Sequence, residues 1–226
     1  MPQVKTEARN LVDVARQMYQ RGFIAASDGN VSLRIGTKTV LVTPSGVNKG
    51  SLRPSDLVRV HLDGSVLSRN GVPSSELAMH LAIYRSRPDA AAVVHAHPPY
   101  ATGFASARIP LRTEFFPEAV LSFGSIPLAP YATPSTSEVP ASLMPFLDSA
   151  HAILLASHGV VTFGRSLAQA WERMQKVEQL AHASFVAMTL GGGVPLTEGE
   201  ILSLRHAAEK IRRPAASAPR KRRGGS

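Results

Sequence analysis

Along the first twenty residues the apolar side chains Val4, Ala8, Leu11, Val12, Ala15, Met18 and Tyr19 recur at three- and four-residue steps. That spacing lines one face of a helix, and Gly22 closes it. The pattern then shortens. Residues 31–35 and 39–43, joined through Gly36-Thr37-Lys38, predict a hairpin, and residues 57–61 and 65–67 around Asp63-Gly64 predict another. From about Ser75, the positions Leu77, Leu81 and Tyr84 predict the inner face of a helix that ends before Pro88. Two short apolar, β-prone runs follow, at 91–97 and 152–157, and each reads as a buried strand. Between them lies a Pro- and Phe-rich section, with a short strand expected at Pro127-Leu128 and a short helix at 139–147. A strand at 160–163 precedes a long helix from Ser166 to about Leu190, which stops at Gly191-Gly192-Gly193. Thr197 and Glu200 form a capping box for a last helix. Hairpins outnumber strand–helix–strand crossovers. The expectation is an α/β domain with a central, mostly antiparallel sheet flanked by helices.

Composition narrows this without naming a chemistry. A chain of 226 residues with 44% hydrophobic content suits one sizeable domain. The formal charge of +9 resides partly in the last fifteen residues, where Arg212, Arg213, Arg220, Lys221, Arg222 and Arg223 alternate with Pro, Ala, Ser and Gly. Residues 212–226 therefore read as a basic, disordered tail, and residues 1–211 as the folded domain. The remaining charges are scattered without interleaved aromatics, so no specific nucleic-acid recognition is expected. No apolar run reaches the length of a membrane span, and the first residues lack the profile of a secretion signal. A cytoplasmic protein is the expectation. With no cysteine in the chain, any metal must be held by histidine and carboxylate.

Histidine carries the most information. His95 and His97 stand at i and i+2 of a predicted strand, where side chains share a face. His158 sits at the mouth of the second apolar run, followed by the turn residue Gly159. Three neutral imidazoles with one coordination position left open is the donor pattern of a catalytic zinc site. Glu76 follows Ser74-Ser75 at a helix start, where capping alone would favour these residues. The same placement brings a carboxylate beside free N–H groups, as a metal ligand, a general base, or both in turn. Ser27-Asp28-Gly29-Asn30 and Pro44-Ser45-Gly46 are ordinary turn chemistry, yet small residues of this kind also cradle a phosphate without Lys or Arg. His80 is assigned to packing or to a supporting position. His61, His151, His182 and His206 show no partner pattern.

Ser27-Asp28-Gly29-Asn30-Val31-Ser32, Thr43-Pro44-Ser45-Gly46, Pro73-Ser74-Ser75-Glu76 with His80, Val94-His95-Ala96-His97-Pro98, Ala129-Pro130-Tyr131-Ala132-Thr133 and His158-Gly159 occur in that order. In this the chain resembles the class II aldolase/adducin family over about residues 5 to 210, with the likeness strongest to its L-fuculose-phosphate aldolase members. The resemblance implies a three-layer α/β/α domain that assembles as a homotetramer with active sites between subunits. It implies that His95, His97 and His158 hold Zn²⁺, one per subunit, with Glu76 both a ligand of the resting metal and the catalytic acid/base. Gly29, Asn30, Ser45, Gly46, Ser74 and Ser75 would bind the phosphate of a sugar phosphate. The implied reaction is cleavage of a ketose 1-phosphate to dihydroxyacetone phosphate and an aldehyde through a metal-stabilised enediolate.

One segment departs from that pattern. The family's aldolase supplies a tyrosine shortly after an Ile-Pro pair, whereas Ile109-Pro110 is followed here by residues 111–118 with none. Glu114, Glu118 and Tyr131 are the candidates to replace it. The family's C-terminal aromatic lid is also missing from the Arg-rich tail. Epimerase, dehydratase or decarboxylase chemistry on the same metal site is the alternative reading, with Glu76 standing where the epimerases carry aspartate. A metal-free, adducin-like interaction domain ranks last, because it would predict a degraded triad.

Overall fold

Strand alternation decides the layering. The computed structural model describes residues 2–69 and 71–212. Seven strands, β1 (Asn30–Arg34), β2 (Thr39–Val42), β3 (Val58–His61), β4 (Ala92–Ala96), β5 (Leu128–Ala129), β6 (Ala152–Leu155) and β7 (Gly159–Gly164), form one sheet in the order β3-β2-β1-β4-β7-β6-β5. Every neighbouring pair is antiparallel except β5 with β6. Val31 and Leu33 of β1 and Ala92, Val94 and Ala96 of β4 pack on one face against α1 (Pro2–Gln20), α3 (Pro99–Ala107), α4 (Pro117–Phe123) and α6 (Leu167–Thr189). Val40, Val58, Val93, Ile153 and Phe163 pack on the other face against α2 (Leu77–Ser86) and α5 (Glu138–Leu143). The last helix, α7, is Glu198–Arg212. The mostly antiparallel, three-layer α/β/α expectation is met. The basic run from Arg213 onward lies outside the described residues.

A sheet covered on both faces is apolar on both, so its buried polar positions stand out. Asn30, Ser32 and His95 are buried. Because they alternate with Val31, Leu33, Val94 and Ala96, they face α2 rather than α1 and α6. That is the face on which the chemistry collects.

Four local expectations need correction. Residues 65–67 make a single bridge, Val60 to Val66, and no strand, because Asp63 Oδ1 accepts from both Ser65 N (2.8 Å) and Ser65 Oγ (2.7 Å) and bends the chain. Helix α2 begins at Leu77, so Glu76 occupies the cap instead of the first turn. The expected helix at 139–147 is α5 followed by a 3-10 turn, Met144–Phe146, because Pro145 has no N–H to continue the ladder. The Pro- and Phe-rich middle holds two helices, α3 and α4, each opened by a proline in its first turn. Buried Glu178 of α6 accepts from the free N–H groups of Tyr100 (3.0 Å) and Ala101 (2.9 Å). This caps α3 and fixes the chain immediately after His97.

Candidate metal centre

Asn30 of β1 and His95 of β4 are directly opposed in the antiparallel register, so their side chains stand together on the α2 face. His97 lies just past the end of β4, held there by its N–H on Phe23 O (2.9 Å). His158 lies in the tight turn between β6 and β7, where Ser157 takes a positive φ of 55°. Gly159 lets that turn close over β4. A Cβ at this position would stand 2.5 Å from Ala96 O and 2.7 Å from His97 Cδ2. Gly29 meets a similar limit, with a φ of +61° and a Cβ position only 2.9 Å from His95 O.

The three imidazoles converge, with ligating nitrogens all within 4.8 Å of one another. His97 Nε2 is 3.1 Å from His95 Nε2. Glu76 closes the group: Oε2 is 3.2 Å from His95 Nε2 and Oε1 is 3.1 Å from His158 Nε2. Metal bonds of about 2.0 Å in a tetrahedron place neighbouring donors about 3.3 Å apart. His95 Nδ1 faces Val160 O at 2.9 Å, the outer-shell carbonyl bond that leaves Nε2 with its lone pair inward. Glu76 Oε1 is buried and makes no hydrogen bond of acceptable geometry despite its short approach to His158. An orphaned carboxylate oxygen facing imidazole nitrogens fits a shared cation. The donor set of imidazole and carboxylate therefore suits a divalent metal ion.

Burial alone would raise the Glu76 carboxyl, but the adjacent imidazoles of His95 and His158 hold it well below the ordinary carboxylate range. Burial is the largest influence on His95 and lowers it, but the charge and hydrogen bonding of Glu76, the Val160 carbonyl and the charge of Asp28 together outweigh it and raise the group. His97 is pushed down to about 3 by burial and then by the neighbouring charges of His95 and His158.

Behind Glu76 runs a buried chain of polar contacts. Asn30 Nδ2 donates to Glu76 Oε2 (2.9 Å), and Asn30 Oδ1 meets His80 Nε2. His80 Nδ1 meets Ser32 Oγ (2.6 Å), which meets Tyr84 Oη (2.8 Å). His80 is fully buried and pushed down to about 3, first by burial and then by the charge of His95. A neutral His80 with its proton on Nε2 sets the Asn30 amide the right way round to donate to Glu76. Sequence reading gave Asn30 to the phosphate and missed Ser32 and Tyr84. The signal was available: Glu76, His80 and Tyr84 are spaced by four on a helix face, and Asn30 and Ser32 by two on a strand.

Gly29, Asn30, Ser45, Gly46, Ser74 and Ser75 all line one cavity of about 230 Å³, together with Glu76, His97 and His158. The N–H groups of Ser45 and Ser74 are already donated to Val72 O (2.9 Å) and Thr43 O (3.1 Å). At those two positions the hydroxyls are what a bound anion would meet. Lys49, passed over in the sequence, also lines this cavity. Glu114 lies beside Arg112 (3.9 Å), Glu118 is exposed, and Tyr131 is 57% exposed. None of the three lines the cavity of its own chain. His182 stacks on Tyr100 with ring centroids 4.0 Å apart. His151 lies among Arg87, Arg165 and Arg173, in a groove it shares with none of the triad.

Comparison with known proteins places these features in a family. Residues 9–185 match the family model described as the class II aldolase and adducin N-terminal domain. The chain is 37% identical over 201 residues to the 3-oxo-tetronate 4-phosphate decarboxylase of Escherichia coli strain K12, spanning 85% of this chain and 92% of that protein. It is 36% identical over 171 residues to the 5-methylthioribulose-1-phosphate/5-deoxyribulose-1-phosphate aldolase of Rhodospirillum rubrum, spanning 76% of each. Among solved structures, an L-fuculose 1-phosphate aldolase superposes with a TM-score of 0.83 at 28% identity, over 92% of this chain and 97% of that one.

Proposed function

The chain belongs to the class II aldolase and adducin family, and from that premise we propose that it is a zinc-dependent lyase that breaks a carbon–carbon bond beside the carbonyl of a phosphorylated sugar or sugar acid. The observation that carries this reading is Glu76, whose two oxygens lie 3.1–3.2 Å from His158 and His95 and which Asn30 fixes from behind. His95, His97 and His158, with Glu76 in the resting site, would hold the ion. A bound divalent cation supplies Lewis-acid polarisation of a substrate oxygen.

The reaction we favour is decarboxylation of a 3-oxo sugar acid 4-phosphate. Loss of carbon dioxide leaves the bonding pair on C2, conjugated with the C3 carbonyl, and one proton added at C2 gives dihydroxyacetone phosphate. Retro-aldol cleavage of a ketose 1-phosphate reaches the same enediolate by expelling an aldehyde. The two differ in what else must be moved. The retro-aldol step also needs a base for the hydroxyl that becomes the aldehyde, whereas decarboxylation needs a single proton donor. Glu76 is the carboxylate against the triad, and residues 111–118 bring no tyrosine. That difference favours decarboxylation, as does the likeness to the E. coli decarboxylase. The likeness to the R. rubrum aldolase supports retro-aldol cleavage as the second reading.

In either case Glu76 is ionised while it lies between His95 and His158. When substrate separates it from them, burial is left as the main influence and raises its pKa above the ordinary carboxylate range, where it can hold the proton that it delivers to carbon. The hydroxyls of Ser45, Ser74 and Ser75 would take the phosphate and fix the unreacting end, so that the reacting carbon stands beside Glu76. The homotetramer that the family resemblance implies would appear in light scattering as four times the 24.1 kDa chain mass.

The test offers the purified protein 3-oxo-tetronate 4-phosphate, L-fuculose 1-phosphate and 5-deoxyribulose 1-phosphate, with and without a chelator. Carbon dioxide and free aldehyde are measured separately. Chelator-sensitive carbon dioxide release supports the decarboxylase and aldehyde release the aldolase. Turnover that persists after complete removal of metal would overturn the metal-dependent reading.

A further inference from the structure

Lys49 is 1% exposed, which is rare for a residue whose charge is costly to remove from water. Its ammonium is satisfied by carbonyl oxygens: Ser27 O at 2.7 Å, Val47 O at 2.9 Å and Pro44 O at 3.4 Å. Its own N–H donates to Ala26 O (3.1 Å). These acceptors belong to two different loops. Ala26 and Ser27 lead into Gly29 and Asn30, whereas Pro44 and Val47 flank Ser45 and Gly46. Both loops wall the cavity beside the triad, and Lys49 lies between them.

Carbonyl dipoles solvate the ammonium without cancelling its charge. Burial pushes the Lys49 ammonium down to about 8, which leaves it charged below that pH, and Asp28, which also lines the cavity, is the carboxylate whose field partly offsets the burial. Ser45, Gly46, Ser74 and Ser75 supply hydroxyl and backbone groups but no charge. The positive charge at the floor of this cradle comes from Lys49, and a buried ammonium with no carboxylate on it is matched by an anion arriving from the cavity.

We propose that Lys49 is the residue that sets the affinity of this cavity for the phosphate group of the substrate, by tying the two loops at a fixed spacing and by placing a buried positive charge behind them. This rests on the reading of the cavity as a phosphate site. Lys49 is a positioning residue: it touches the loops, and the loops touch the ligand.

Binding of inorganic phosphate and of dihydroxyacetone phosphate, measured by calorimetry on the zinc-loaded protein, tests the proposal. Zinc affinity is measured in parallel by competition with a chelating dye. Lys49→Met is expected to weaken both phosphate ligands by about tenfold or more at low ionic strength while leaving zinc affinity within about twofold of the parent. Asp28→Asn, an exposed change that removes the opposing field, is expected to tighten both ligands by about threefold at about pH 6, where Lys49 stays protonated without Asp28, and to lose that gain in high salt. It also keeps the proposal testable if Lys49→Met does not fold. Unchanged phosphate binding in Lys49→Met, or unchanged or weakened binding in Asp28→Asn, would overturn the role of Lys49. A parent protein that binds neither ligand would instead overturn the phosphate-site reading on which it stands.

Discussion

Replacing His80 separates the polar chain behind Glu76 from the proposed metal ligands themselves. In His80→Leu, Asn30 Oδ1 loses its partner inside a site where Asn30 is 3% exposed, while Ser32 keeps Tyr84. An unsatisfied buried acceptor costs roughly 1–3 kcal/mol, which lowers the melting temperature by about 2–12 °C for a domain of this size. The functional loss follows from the Asn30 amide. Without His80 nothing fixes which end faces Glu76, and a flipped amide sets its oxygen against the carboxylate in place of the 2.9 Å hydrogen bond. Losing a bond to a charged group costs roughly 1.5–3 kcal/mol, or about 10- to 150-fold in kcat/KM. The assay is steady-state turnover of whichever substrate the panel identifies, with thermal denaturation of the same preparations. His80→Gln, which can donate to Asn30 and accept from Ser32, should recover most of the rate. If His80→Leu melts early yet keeps kcat/KM within twofold, the chain serves packing alone and the orienting argument fails.

The same residue predicts a pH effect. His80 is held at about 3 in the fold, below its ordinary imidazole value, so between roughly pH 6.5 and 3 the unfolded chain binds a proton that the folded one does not. Stability from this group is complete above pH 6.5 and falls as pH drops, by up to about 1.4 kcal/mol per unit, and His80→Leu should flatten that limb in urea titrations. Glu76→Gln should retain the fold and lose turnover by about 10²–10⁴-fold, the usual worth of a positioned acid/base; retention of most activity would remove Glu76 from that role. Gly159→Ala forces a Cβ against Ala96 O at 2.5 Å and His97 Cδ2 at 2.7 Å. It should cost about 1–3 kcal/mol of overpacking and weaken zinc binding, and a melting curve and metal affinity equal to the parent would contradict the close-approach argument. Zinc at a hundredfold excess over its Kd should stabilise the apoprotein by about 2.7 kcal/mol, a shift that mutation of any one of His95, His97 or His158 should abolish.

The capping box at Thr197 and Glu200, the β1–β2 hairpin and the lengths of α1 and α6 were all legible along the chain, because each is set by neighbours a few residues apart. Where a local competitor intervened, the reading slipped. Asp63 dissolved the second hairpin arm, Pro145 cut the helix at 139–147, and Ser74 moved the start of α2 past Glu76, whose N–H lies 3.3 Å from Ser74 Oγ.

The presence of His95, His97, His158 and Glu76 with the right donor chemistry was determined by the sequence alone, since donor identity is a property of the residue. That these groups meet depends on β1 pairing with β4 in one register, on a turn closed by glycine, and on α2 crossing the face where Asn30 and Ser32 point. Tertiary structure also decided which N–H groups remained available to an anion, and that a lysine from a surface turn would end up inside, between two loops. These contacts are set by packing between segments distant in the chain, and the spacing of residues along it does not say which segments will meet.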